Sequence, residues 1–253
     1  MKLSWFVAAA AAAAVTSSSL AATIVEIGRV SGYHENRIPG NPNVGGGEFT
    51  VIGNGAGIRG LASDTAALNS FQTFCLELDQ FLGSTARDYA VQINTTIITG
   101  SPGVAFVSQG TAWLYNQFRA GNLSRYNYTV GTDRASSASS LQLAIWRLQG
   151  QFADPTTWNA ANGPRPDRNE LLWDEFTSND DAQHFFDLVD GIFGSNAFAA
   201  YTGNRVRALN VGPTPNGGNW QNQDLLTLIP LPSGGGLAAA GLLGLVALRR
   251  RRA

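Results

Sequence analysis

The sequence predicts an α+β fold: a single domain of antiparallel strands with an inserted helical subdomain, flanked by a signal peptide and a C-terminal membrane sorting helix. Three observations predict it. Segments rich in β-branched residues lie before residue 98 and return after residue 205, and segments of helical periodicity lie between them. Such segregation favours α+β over repeated βαβ units. Of 253 residues, 14% are charged and 44% apolar, which excludes a charged disordered chain and a coiled coil. The 29 glycines follow no Gly-X-Y period, so they fit a loop-rich globular domain and exclude collagen. There is no internal repeat.

Thr23 to Val30 is β-branched and reads as a strand. Residues 38–47, with Pro39, Pro42 and three consecutive glycines, read as a loop, followed by a short strand from Glu48 to Gly53. Phe71 to Phe81 is apolar and aromatic enough for a buried strand around Cys75, and Tyr89 to Ile98 alternates as a further strand. Thr111 to Ala120 carries Trp113, Leu114, Gln117 and Phe118 at helical spacing. Ser136 to Gly150 predicts a helix capped by its serine cluster and stopped by glycine. Asn169 to Phe193 predicts two helices broken near Ser178-Asn179, after a turn at Asn162 to Pro166. Arg205 to Val211 and Asp224 to Ile229 close the domain as strands.

The two ends read as addresses. Residues 1–21 combine a basic start at Lys2, an alanine-dominated apolar run and the small residues Ser19 and Ala21, the pattern of a secretory signal peptide. Residues 22–228 then form the exported domain. The last segment, 229–253, runs Ile229-Pro230-Leu231-Pro232, a Gly-rich joint, an apolar stretch at 237–248 and four arginines. Twelve apolar residues rise about 18 Å as a helix, a short span for a membrane core of roughly 30 Å. The arginines stay on the cytoplasmic side, which leaves the domain outside.

This three-part tail resembles the PEP-CTERM class of bacterial sorting signals, in its Val-Pro-Leu-Pro-Ala variant, with Ile229 for Val and Ser233 for Ala. The resemblance implies transient processing by an exosortase-type protease. It also implies a Gram-negative, exopolysaccharide-producing host, and a protein anchored in the membrane or released to the cell surface and biofilm matrix.

Composition also excludes partners. Residues 22–248 hold 12 arginines against 18 acids, a net charge of -6, which disfavours nucleic acid. One cysteine excludes intrachain disulfides and Cys-rich zinc sites, and two histidines, His34 and His184, leave little for a metal centre. No metal or cofactor is expected.

Two segments carry candidate chemistry. Phe74-Cys75-Leu76-Glu77-Leu78 is an aromatic-flanked cysteine on a predicted strand. Leu141-Gln142-Leu143-Ala144-Ile145-Trp146 opens a predicted helix, with Gln142, Ile145, Trp146 and Gln149 on one face. A carboxamide on an inward face must find hydrogen bonds or cost about 1–3 kcal/mol. A lone buried cysteine is ordinarily a small hydrophobe, and an inward glutamine a satisfied core amide.

Together the two segments resemble the Cys-Gln thioester domains of bacterial surface proteins, whose helix motif reads Thr-Gln-X-Ala-Ile-Trp. Here Leu141 stands at the threonine position and the rest agrees. The resemblance implies a bond between the Cys75 sulfur and the Gln142 side-chain carbonyl, shielded by a pocket of Phe74, Ile145 and Trp146. A thioester lacks amide resonance and acylates amines, so the implied role is non-enzymatic: an adhesin or matrix protein coupling to an amine-bearing surface ligand or exopolysaccharide. The alternative is a non-reactive structural protein of the exopolysaccharide or biofilm matrix with the same fold. Glu77, Asp79 and His184 are candidate bases by type alone. The region 22–248 holds no lysine, so no internal ammonium side chain would quench such a bond.

Weaker signals compete. Asp174, Glu175, Asp180 and Asp181 suggest paired carboxylates or calcium ligands, but the Ca-loop spacing is absent. Tyr126, Tyr128, Trp158, Trp173 and Trp220 suggest a sugar-stacking surface, although aromatics in such a domain are mostly core. Asn94, Asn122 and Asn127 stand in Asn-X-Ser/Thr triplets, which weigh little in a bacterium. No nucleophile–His–acid motif is visible, which disfavours a hydrolase.

Overall fold

A computed structural model describes residues 23–35, 46–53, 70–78, 80, 82, 86–98, 105–156, 169–212 and 223–229. β1 (Thr23–Gly28), β4 (Phe49–Gly53), β5 (Ser70–Thr73), β6 (Arg87–Asn94), β7 (Val206–Val211) and β8 (Leu225–Leu228) form one sheet. Its order is β5-β4-β1-β6-β7-β8, and every neighbouring pair is antiparallel. A small second ladder pairs β2 (His34–Glu35) with β3 (Gly46–Gly47). Among the described residues, four α-helices lie in sequence between β6 and β7: α1 (Gln109–Arg119), α2 (Thr132–Leu148), α3 (Asn169–Ser178) and α4 (Asp180–Phe193). The result is a mixed fold of antiparallel strands and helices. The signal segment and the apolar tail, with Pro230, Leu231 and Pro232, lie outside the described residues, as does the turn at 162–166. Among the described residues no helix is long and apolar enough to cross a membrane.

The sheet nearly closes on itself. Past the end of β5, Leu76 N–H donates to the Asp224 carbonyl at 2.9 Å, and Leu226 N–H donates to the Phe74 carbonyl at 3.1 Å. Cys75 therefore faces Leu225 as an isolated bridge. The Thr73 hydroxyl adds a bond to the Leu226 carbonyl at 2.5 Å.

Strand alternation sorts the core into two sides. Val25, Ile27, Phe49, Val51, Tyr89, Val91, Leu209 and Val211 share one cluster with Cys75 and Leu225. Phe74, Leu76, Val206, Ala208 and Leu226 pack instead against α1, α2 and α4. Helix α2 contributes to both: Leu141, Ala144, Ile145 and Leu148 to the second cluster, Leu143 and Trp146 to the first. It is buried on nearly every side, although Arg134, Ser137, Ser139, Ser140 and Gln142 are among its buried residues.

The elements differ from the sequence expectation in instructive places. Helix α1 begins at Gln109, because the Ser108 hydroxyl accepts from the Thr111 N–H and caps it. Next to that cap, a methyl on Gly110 would meet Val189 at 2.5 Å and Leu148 at 2.9 Å, so glycine permits the close approach of α1 to its neighbours. Helix α2 starts at Thr132, not in the serine cluster, and its N-cap is Gly131 without a side-chain bond. Ser137, Ser139 and Ser140 are buried inside the helix rather than capping it, and Ser140 returns its hydroxyl to the Ser136 carbonyl at 3.2 Å. The predicted strand from Phe71 to Phe81 is shorter: β5 ends at Thr73, and only Cys75 continues as a bridge. The loop at 38–47 gives up its last two residues to β3. The break near Ser178-Asn179 is as expected, with the Asn179 side chain accepting from Ala182 N–H at 2.9 Å as the α4 N-cap.

A buried ion pair fastens the start of α2. Arg134 donates from Nε and Nη2 to the two Glu48 oxygens at 2.7 and 2.9 Å, and from Nη1 to the Tyr128 carbonyl at 2.6 Å. Tyr126 donates its hydroxyl to the same carboxylate, and the guanidinium sits 4.2 Å from the Tyr33 ring centroid. Burial lifts the Glu48 carboxyl above its ordinary range despite the pull of Arg134.

Candidate functional site

Cys75 and Gln142, far apart in sequence, meet at the seam of the sheet. In the bridge between Cys75 and Leu225, the ladder bonds are made by the flanking residues, so the N–H and C=O of Cys75 itself point away from β8. The Gln142 carboxamide occupies that side. Its Oε1 accepts from Cys75 N–H at 2.9 Å, and its Nε2 donates to the Cys75 carbonyl at 2.8 Å. One side chain thus replaces a neighbouring strand. It also explains where β5 stops: the next partner of the backbone is a helix side chain, not another strand.

Cys75 is 1% exposed and Gln142 fully buried. Burial pushes the Cys75 thiol well above its ordinary range; Arg29 opposes that shift and the Glu77 charge reinforces it. The thiol in this state is a small buried group with little thiolate character. Of the expected pocket residues, Trp146 shares the Cys75 cluster, while Phe74 and Ile145 pack together in the other. The reason is alternation: Phe74 and Cys75 are consecutive in extended chain and face opposite ways. Phe74 instead meets Phe118 edge-on at 5.0 Å.

The candidate bases separate. Glu77 is buried beside the seam, and its Oε2 accepts from Asp224 N–H at 3.2 Å. Asp79 lies outside the described residues. His184 is on α4, where its Nε2 lies 2.8 Å from the Ser124 hydroxyl in an open surface pocket shared with Arg125, Asp180, Gln183 and Asp187. Asp180 and Asp181 stand in the first turn of α4, where negative charge is favoured by the helix dipole. Asp174 is exposed and Glu175 half-buried on α3. Tyr126 and Tyr128 pack on Phe118, and the Trp173 ring lies 5.6 Å from the Arg147 guanidinium. Trp158 and Trp220 lie outside the described residues. Among the described residues no group of His, Cys, Asp or Glu could hold a metal ion.

Sequence reasoning placed Gln149 on the Gln142 face without giving it a task. Its Oε1 accepts from Ser108 N–H at 2.8 Å and its Nε2 donates to the Phe106 carbonyl at 3.0 Å. Gln151 repeats half of this, accepting from Leu78 N–H at 3.0 Å. The seven-residue spacing of Gln142 and Gln149, two turns of one helix, is the signal that points to a shared role. The Glu48–Arg134 pair left no local signal, since its partners are 86 residues apart.

Compared with known proteins, the chain matches no family model and no curated protein.

Proposed function

We propose that this is an exported bacterial cell-surface or matrix protein whose Cys75 and Gln142 form an internal thioester and couple to an amine-bearing ligand. The observation that carries the reading is the pair of hydrogen bonds, 2.9 and 2.8 Å, that hold the Gln142 carboxamide against the backbone of the chain's one cysteine. In the bond-forming step the Cys75 sulfur attacks Gln142 Cδ, and Nε2 leaves as ammonia carrying the thiol proton. In the coupling step an amine attacks the same carbon, the C–S bond breaks and an amide remains. Burial excludes competing water. The tail resemblance supports export and sorting by an exosortase-type protease, with the domain outside the membrane.

A second reading is a structural protein of the extracellular matrix in which Gln142 serves only as a backbone clamp. It is favoured by Gln149, which makes the same two-bond contact to residues that carry no thiol. Intact mass separates them. The reactive form is lighter than the sequence by one ammonia, Cys75→Ala abolishes that deficit, and methylamine adds to Gln142 while freeing the thiol. Full mass in the native wild type, with methylamine giving no adduct, rejects the thioester and leaves the clamp.

A further inference from the structure

Arg29 follows the last residue of β1. Strand register places it. Gly28 pairs with Thr50, which sets Arg29 across from Phe49, and Phe49 pairs with Thr73 on β5. Cys75 lies two residues beyond Thr73, so it shares the face of Thr73. Alternation along β1 gives Arg29 the side of Val25 and Ile27, whose cluster includes Phe49 and Cys75. The contact agrees: the Arg29 guanidinium carbon lies 5.4 Å from the Phe49 ring centroid.

Two features mark this arginine as unusual. Its Nε is buried and makes no hydrogen bond. A buried donor left without an acceptor costs about 1–3 kcal/mol, and salt or backbone partners normally relieve it. Its charge also reaches the sulfur, favouring the thiolate against burial and against Glu77.

We propose that Arg29 stabilises the Cys75 sulfur as it departs from the Gln142 carbonyl, and so sets the rate at which the thioester transfers to an amine. This rests on the thioester reading above. The physical need is specific. When the amine attacks Gln142 Cδ, the C–S electron pair goes to sulfur, and the amine proton then passes to that thiolate, which ends as the free Cys75 thiol. A thiolate formed in a dry pocket is costly unless a cation faces it. Arg29 supplies that charge from the residue that follows β1, over the Phe49 ring.

The test compares the full-length protein with Arg29→Met, which keeps apolar bulk over Phe49, and Arg29→Lys, which keeps charge. Mass deficit, methylamine incorporation rate against pH, and thermal midpoint are measured on all three. All three are expected to carry the deficit with similar midpoints. Methylamine transfer should slow about 3- to 20-fold in Arg29→Met, because the departing thiolate loses the cation that faces it. Arg29→Lys should recover most of the rate, and the alkylation profile of the released thiol should move to higher pH only in Arg29→Met. Equal rates in wild type and Arg29→Met, both carrying the deficit, overturn the assignment. So does a folded Arg29→Met that never closes the bond, since Arg29 would then act in formation. A wild type without the deficit removes the thioester and this role together.

Discussion

Gln142 and Gln149 hold extended backbone in the same way, each accepting one N–H and donating to one carbonyl, seven residues apart on α2 and its C-cap. They differ in what they hold. Gln149 grips two residues, Phe106 and Ser108, at the entry to α1, and so seats the Ser108 cap. Gln142 grips both polar groups of a single residue, and that residue is the cysteine. The Gln149 contact shows that an amide in this position needs no chemistry to explain it. What remains particular to Gln142 is the sulfur on its partner. The two contacts therefore act as site and internal control.

The largest expected difference between them is covalent. A thioester joining Cys75 to Gln142 closes a loop of 67 residues, and chain entropy assigns such a crosslink about 4 kcal/mol. Cys75→Ala should then lower urea-unfolding stability by about 4 kcal/mol relative to the bonded wild type. No substitution around Gln149 has a comparable covalent term. If Cys75→Ala costs only about 1 kcal/mol, the ordinary price of a small buried side chain, the two contacts are alike and both are clamps.

The next effect is on the control. Gln149→Leu removes the partners of one buried N–H and one part-buried carbonyl, expected to cost about 2–4 kcal/mol. Because the freed N–H belongs to the α1 cap, hydrogen exchange should rise at Ser108 and in the first turn of α1 while amides of β8 stay protected. Loss of protection across β5 and β8 instead would mean that the two clamps are one cooperative unit, and the comparison would collapse.

How much of this was legible in the sequence follows from the range of each interaction. The strands β1, β4, β6, β7 and β8 and the split of α3 from α4 were readable because β-branched runs and periodicity are local signals. The start of α2 was misread because serines favour caps in general, whereas here the burial of Ser137, Ser139 and Ser140 inside the helix overrides that preference. The short β5 was unreadable, since its end is set by a side chain 67 residues away. Pairing of Cys75 with Gln142 was suggested only by a motif. The Glu48–Arg134 pair and the Arg29 placement depend on sheet register, which no local pattern encodes.

The smallest expected effect concerns the seam rather than the helix. Asp224 bonds Leu76 through its backbone, and its carboxylate accepts from Ile98 N–H at 2.7 Å and from Asn210 Nδ2 at 2.8 Å. Burial outweighs these donors and raises its pKa from 3.8 to about 6. A carboxyl raised on folding favours the protonated native state. Its contribution is fully present below the unfolded value of 3.8 and is lost as pH rises through about 6. Asp224→Asn keeps an oxygen for Ile98 N–H and removes the titration, so its stability relative to wild type should rise by about 2 kcal/mol between pH 4 and pH 7. The Gln149 contact contains no ionisable group, so Gln149→Leu should differ from wild type by the same amount across that range. Urea unfolding of the three proteins at several pH values measures both slopes. A flat difference for Asp224→Asn would mean that the carboxylate is not held in this buried network, and that the seam beside Cys75 is fastened by its backbone bonds and by the Thr73 and Glu77 side chains.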